Sequence, residues 1–340
     1  MCVADGAQPP LDKACGEGLM PDGLPALEQL GIVVKPDDSH PFSGVRFLSL
    51  GLTADAPFPG QARGLGVRRT VLHRMMVERA RDLGIELLWG TSVTGISRHG
   101  VQLVRDMVPA RWIIGADGAN SRVRRWAGLQ DFRRRYPRYA FRRHYRATPW
   151  TDRIEIYWGA GSQMYMAPVG DDLICVVLVS HDPKLRVEHA MSSFPELHNR
   201  LRGGELASAE KGAITATCTL RRVYRGDVAL IGDASGTVDA ITGEGLGLSF
   251  QQAIALAVSL RSGDLPHYQS AHRRIARRPL LMARLMLLLD QRPALQRRTL
   301  QVFRRRPEIF RRLLALHVGD RSPLHLAMDG VTLGWELLTA

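Results

Sequence analysis

Three observations predict an α/β fold with an inserted antiparallel sheet and a helical C-terminal tail for this 340-residue chain. Two stretches, 112–125 and 228–253, each read as a short apolar strand, a Gly/Asp turn and the start of a helix. Between them, residues 132–220 alternate in the manner of antiparallel strands. Beyond Leu260 the chain turns basic and helical.

The first turn, Gly115-Ala116-Asp117-Gly118, follows Trp112-Ile113-Ile114 and leads into Ser121-Arg122-Val123-Arg124. The second follows Val228-Ala229-Leu230-Ile231 and carries Gly232, Gly236, Gly243, Gly245 and Gly247. The apolar, proline-free run 246–260 then predicts a helix. Glycines at this density let a ligand approach the main chain closely. The N-terminus of the following helix offers free N–H groups and a positive dipole end to electron-rich oxygens. Asp233 has no basic neighbour in sequence, so its carboxylate suits hydrogen bonds from ligand hydroxyls. A glycine-rich turn that merely packs tightly has the same composition, so either stretch alone identifies nothing.

Composition bounds the function. The chain is long enough for a large core in one or two domains. With 45% hydrophobic and 23% charged residues it reads as globular. The net charge of +13 suits an anionic cofactor, an anionic membrane surface or nucleic acid. Cys2, Cys15, Cys175 and Cys218 show no metal-ligand spacing and are too few for a disulfide framework, which predicts a reducing cytoplasm. No run of 18 apolar residues predicts a spanning helix, and there is no internal repeat.

Together, in this order and about 115 residues apart, GADGANSRVR and GDASGTVDAITGEG change the reading. They resemble the Asp-Gly and Gly-Asp motifs of the flavoprotein superfamily of aromatic-ring monooxygenases, geranylgeranyl reductases and flavin-dependent halogenases. The resemblance runs from Asp5 to about residue 293. It implies a Rossmann-like FAD-binding domain of the para-hydroxybenzoate-hydroxylase type with an inserted substrate domain. It further implies FAD as cofactor, NAD(P)H as electron donor, and a hydrophobic small molecule as substrate. The implied FAD contacts are Asp5, Arg68, Asp117, Gly118, Gly232, Asp233, Gly243, Glu244, Gly245 and Gly247, with Arg69 equally placed to serve as the arginine. Asp5 matches the acidic residue that holds the adenosine ribose at the end of a strand. In the resembled family a strand, a GxGxxG turn and a helix precede that residue, and no GxGxxG occurs in this chain. The expectation is therefore an N-terminally truncated chain, whose activity as it stands is left open.

Taken in order, Cys15-Gly16-Glu17-Gly18 is closest to the geranylgeranyl-reductase branch, where the cysteine lies near the flavin. Cys15 is thus the one catalytic candidate, against the alternative of a small buried thiol. Residues 25–30 predict a short helix ending at Gly31, and 33–52 predict strands and loops. Residues 70–83 predict a helix with Thr70 as N-cap. The stretches 101–104 and 110–114 suggest a hairpin feeding the first turn. From 132 to 146, seven arginines interleave with aromatics, a pattern shared with nucleic-acid binding. The strand-like alternation that follows assigns these residues instead to the substrate sheet, with no nucleic-acid partner. Residues 267–276 predict a polar helix and 280–289 an apolar one. Basic amphipathic segments reach about residue 314, and suit either packing with arginines outward or peripheral contact with an anionic membrane.

The expected divisions are a first part of the FAD domain (1–131), the substrate sheet (132–220), a second part of the FAD domain (221–265) and C-terminal helices (266–340). The expected function is an FAD-dependent oxidoreductase, either monooxygenase or reductase. Where typical ring hydroxylases carry His and Pro, this chain has Gly236 and Ala240, while the stretch Ile241-Thr242-Gly243-Glu244-Gly245 resembles the reductase type. The alternatives of another class are a cofactor-free remnant and a basic membrane-surface protein without catalysis.

Overall fold

The computed structural model describes residues 1–49, 51–134 and 137–320, the side chain of Arg134 excepted. Arg135 and Tyr136, and residues 321–340 of the expected C-terminal helices, lie outside the described residues. In chain order, the elements that build the site are β1 (Cys2–Asp5), β2 (Gly44–Ser49), β3 (Leu52–Pro57), α1 (Arg69–Asp82), β4 (Glu86–Trp89), β5 (Ile113–Gly115), α2 (Arg122–Trp126) and β6 (Arg138–Arg146). They continue with β7 (Arg153–Trp158), β8 (Ser162–Gly170), β9 (Leu173–Ser180), β10 (Val228–Leu230), α3 (Gly245–Ser262), α4 (Leu265–Asp290), α5 (Pro293–Arg305) and α6 (Pro307–His317).

The parallel pairings carry the turns. β5 pairs in parallel with β10, Ile113 opposite Val228 and Gly115 opposite Leu230. This register sets the Asp-Gly and Gly-Asp turns side by side, although 115 residues separate them. β1 pairs in parallel with β4, Asp5 opposite Trp89. The suggested hairpin is replaced: Met107–Pro109 pairs with Gly100–Leu103, and Ile113–Gly115 turns away to β10. Both faces of β10 meet apolar side chains, and Ala229 and Leu230 are fully buried. A parallel pairing covers such a strand on both sides, which an open hairpin does not.

The large sheet runs Glu205–Leu206, β6, β9, β8, β7, β2, β3, with Lys211–Thr215 added on β6. Its pairings are antiparallel except β7–β2. β9 is buried along nearly its whole length, and its residues Ile174, Val176 and Leu178 share one core with Met164, Met166 and Leu197. The sheet therefore draws on residues 44–57 as well as on the expected 132–220. We propose the four divisions set out above with that segment reassigned to the sheet.

α4 is one helix rather than two, with Pro279 inside it and buried. Packing of its flanks compensates for the one hydrogen bond that proline cannot donate. α5 and α6 turn their apolar faces onto β3. Phe303 and Phe310 stack at 4.8 Å, in a cluster with Phe47 and Trp158, which stack at 4.5 Å. Arg304, Arg305 and Arg311 point outward. No helix among the described residues is long and apolar enough to cross a membrane.

Gly66 is where this architecture tolerates no side chain. It lies on the short strand Gly64–Gly66 that leads to α1, and a Cβ there would fall 1.7 Å from the carbonyl oxygen of Pro168 on β8. Gly66→Ala is expected to lower unfolding free energy by about 2 kcal/mol or more in urea titration. Gly16→Ala, whose Cβ meets nothing within 4 Å, should change it by less than about 0.5 kcal/mol.

Candidate functional site

The Gly-Asp turn is braced from behind. Gly232 takes φ +57 and donates its N–H to Gln252 Oε1 at 2.7 Å. The Ser235 hydroxyl lies 2.8 Å from Gly232 O and 2.9 Å from His272 Nε2. Burial, reinforced by the Arg273 charge, pushes the His272 imidazole down to about 4, so it is neutral at neutral pH. Asp233 opens onto the cavity described below. Removal from bulk water raises its carboxyl above the usual range, and Lys13 partly opposes this. Gly243 takes φ +68 after a turn in which Asp239 accepts the Ile241 N–H at 3.0 Å. α3 then starts at Gly245 without a side-chain cap, which leaves its first N–H groups free for a ligand.

The sequence-derived residues separate into two groups. Gly118, Gly232, Asp233, Gly243 and Gly245 line one cavity, together with Cys15. The others are not among its lining residues. The Asp117 carboxylate instead caps α2, accepting from Ser121 at 2.5 Å and from the N–H groups of Arg122 and Val123 at 2.6 and 3.1 Å. Asp5 accepts the N–H of Ala7 at 2.8 Å at the end of β1. Glu244 is buried against Arg278 at 3.4 Å and His317 at 3.6 Å; burial raises its carboxyl, and His317 and Arg278 oppose the shift. Gly247 is a packing glycine, since a Cβ there would sit 3.2 Å from the Cα of Gly23. Of the two arginines at the start of α1, Arg69 reaches the cavity and Arg68 does not.

Sequence reasoning missed the network behind Cys15. Glu17 is 2% exposed and adopts φ +58, unusual for a residue with a side chain. Its Oε1 accepts the Arg69 N–H at 2.8 Å, so it caps α1 from a distant loop, a task the sequence assigned to Thr70. Its Oε2 meets His144 Nε2 at 2.6 Å. Arg142 NH1 lies 3.0 Å from His144 Nδ1, and a guanidinium can only donate. Nδ1 must therefore accept, which leaves Nε2–H to donate to the Glu17 carboxylate. Ser208 Oγ stands 2.8 Å from the same Nδ1, and Arg142 itself is ion-paired with Asp12. The Glu17 N–H points at Cys15 Sγ at 3.3 Å, and burial raises the Cys15 thiol, keeping it protonated. The signal available in sequence was the spacing of Arg142 and His144, two residues apart on one face of β6, the face turned from solvent.

The cavity measures about 1020 Å³. One end is polar, formed by the 15–18, 116–121, 231–233 and 243–249 segments with Arg69. The opposite walls are apolar: Val45, Phe47, Ile156 and Val177 from the sheet, Met282 and Met286 from α4, Phe303 and Phe310 from α5 and α6. A Cβ at Gly118, Gly243 or Gly245 would meet nothing within 4 Å, so these glycines face open space. Arg69 also has a shielded guanidinium nitrogen without a hydrogen-bond partner. Bare main chain, an uncapped helix start, a cation and a carboxylate at one end, with apolar walls beyond, fit a cofactor that is polar along its chain and flat and apolar at its ring.

Two outcomes follow from these contacts. Glu17→Ala strands the His144 and Arg69 donors; it should cost about 3 kcal/mol in denaturant titration and accelerate alkylation of Cys15, with Glu17→Gln in between. His272 binds its proton in the unfolded chain below about pH 6.5 and in the folded chain only near 4. Its contribution to stability is thus present above pH 6.5 and lost as pH falls toward 4, about 3 kcal/mol in all. Melting curves of His272→Gln should show a flatter acid limb than those of the parent.

The comparisons agree with this geometry. The signature of the FAD binding domain matches residues 61–262, more than half of the chain. Menaquinone reductase of Mycolicibacterium smegmatis is 27% identical over 297 residues, which cover 79% of this chain and 72% of that protein. Digeranylgeranylglycerophospholipid reductase 1 of Methanothermobacter thermautotrophicus is 29% identical over 282 residues, covering 74% and 69%. Among solved structures, a flavoprotein/dehydrogenase from Cytophaga hutchinsonii superposes with a TM-score of 0.79 at 17% identity, over 94% of this chain and 86% of that one. PqsL of Pseudomonas aeruginosa, a probable FAD-dependent monooxygenase, gives 0.65 at 21% identity, over 85% and 87%. Neighbours at these identities share the fold; the domain match adds that this chain belongs to the FAD-binding-domain family of flavin-dependent oxidoreductases.

Proposed function

We propose that the chain is an FAD-dependent reductase of a hydrophobic small molecule, with NAD(P)H as electron donor. The observation that carries the proposal is the single cavity, in which the glycine turns and Asp233 form one end and the apolar sheet and helix walls the other. Bound FAD would supply hydride transfer, and the protein supplies position and environment. Asp233 accepts hydrogen bonds from the ribityl or ribose hydroxyls. The bare main chain at Gly243 and Gly245 admits the ring edge, and the free N–H groups at the start of α3 face its electron-rich oxygens. Arg69 holds negative charge at the polar end. Cys15, kept as a thiol, packs beside the ring without adding charge. Phe47, Ile156, Val177, Met286 and Phe310 exclude water from the substrate.

Reduction is favoured over hydroxylation by the Gly243-Glu244-Gly245 and Cys15-Gly16-Glu17-Gly18 turns, which resemble the reductase branch, and by the names of the relatives quoted above. The substrate is then an apolar molecule bearing a reducible alkene or quinone. The four cysteines, none of them in a disulfide, suit the reducing cytoplasm, and peripheral contact with an anionic membrane belongs to the same reading.

Titration of the purified chain with FAD, followed by flavin fluorescence quenching, checks the cofactor. Binding near one flavin per chain is expected, and Asp233→Ala should weaken it about tenfold, or ~1.4 kcal/mol. Anaerobic mixing with NADH or NADPH should then bleach the flavin. Oxygen uptake coupled to substrate hydroxylation would favour a monooxygenase instead, and absence of flavin binding would sink the reading.

A further inference from the structure

We propose that the open side of the cavity is a docking surface for an anionic lipid bilayer, so that an apolar substrate passes from the membrane into the site without crossing water. The inference rests on the apolar-substrate reading for its purpose, but the surface itself stands on independent observations.

Four of the large apolar side chains that stay exposed line the same cavity. Phe132 is 37% exposed, Ile214 53%, Leu285 38% and Leu288 39%, and all four line the cavity. They come from three segments distant in sequence, so their meeting is a product of the fold. Scattered exposed apolar residues are ordinary on a soluble surface, whereas a continuous set around a cavity entrance marks an interaction site.

The charge around this rim selects the partner. At 100° per residue, Arg277, Arg284, Leu285 and Leu288 of α4 share an arc of about 100°, and all four are exposed. α4, α5 and α6 together carry eleven arginines and two carboxylates. One of the carboxylates, Asp290, is turned inward to Arg138 at 3.3 Å and is 7% exposed. Glu308 is then the one exposed carboxylate on the three helices. Leucines flanked by arginines on one helical face suit a bilayer with negative headgroups, the leucines entering below the headgroup level. The apolar faces of α5 and α6 are spent on β3, so these helices contribute charge, and insertion falls to α4 with Ile214 and Phe132.

Co-sedimentation with vesicles tests the surface. The purified chain should bind phosphatidylcholine vesicles containing phosphatidylserine, bind pure phosphatidylcholine weakly, and release as salt rises. Leu285→Asp/Leu288→Asp should lower affinity for the anionic vesicles about tenfold or more, with an unchanged melting temperature. Three results would overturn the proposal: no binding at low salt; binding that salt abolishes but the double substitution leaves intact, which is charge attraction without this rim; and binding that appears only after residues 321–340 are deleted, which makes the chain's own C-terminus the occupant. Conversion of a self-associated chain to a monomer by the double substitution, without vesicle binding, would likewise overturn it in favour of a second copy. None of these readouts depends on turnover, so failure of the reductase assay and failure of docking are separate events.

Discussion

The buried carboxylate of Glu17 is the constraint on which the cavity depends. A charge removed from water costs several kcal/mol unless donors replace the solvent. Here the replacements come from unrelated parts of the chain: the first N–H of α1 and the imidazole Nε2–H of His144 on β6. The carboxylate can be satisfied only when the 15–18 turn, α1 and the sheet are all in place. The left-handed backbone at Glu17 is held by the same bonds. The turn that carries Cys15 to the cavity is therefore fixed by the interior behind it rather than by its own residues.

A buried ion-pair network ties the sheet to the Gly-Asp turn and to α4. Arg138 on β6 is 1% exposed and is paired with Asp239 of the Gly-Asp turn and with Asp290 at the end of α4. Gln163 donates to Asp290 at 2.5 Å, and the cavity-lining Tyr165 donates to Gln163 at 2.6 Å. Sheet, cofactor turn and helix thus share one polar knot. Within the arginine-rich stretch, Arg138 and Arg142 are buried, Arg143 is paired with Glu188 and Glu210, and Arg153 with Asp55 and Asp152. Arginine serves here because its planar guanidinium binds two acceptors at once and stays charged when buried.

Between these two knots the cavity divides by polarity. Its main-chain-rich end accepts hydrogen bonds and negative charge, and its sheet and helix walls accept little besides apolar surface. Interactions at the polar end gain strength because the walls keep water away.

The local chemistry of the two glycine turns was legible in sequence. Glycine density, strand-turn-helix order and a lone carboxylate at Asp233 are properties of a few adjacent residues, as is the period-2 pattern that marked β7. The family resemblance rested on such stretches, and the FAD-binding-domain match bears it out. Tertiary structure decided the rest. Whether Arg68 or Arg69 faces the cavity depends on which side of α1 the sheet covers. The motifs do not reveal that Asp117 meets a helix N-terminus, that Gly247 packs on Gly23, or that Glu244 is buried against Arg278 and His317. Glu17 and His144, 127 residues apart, carry no local pattern that predicts their pairing. Sequence periodicity reports what a residue's neighbours along the chain demand; a buried charge reports what the whole fold can supply, and that is settled only when distant segments meet.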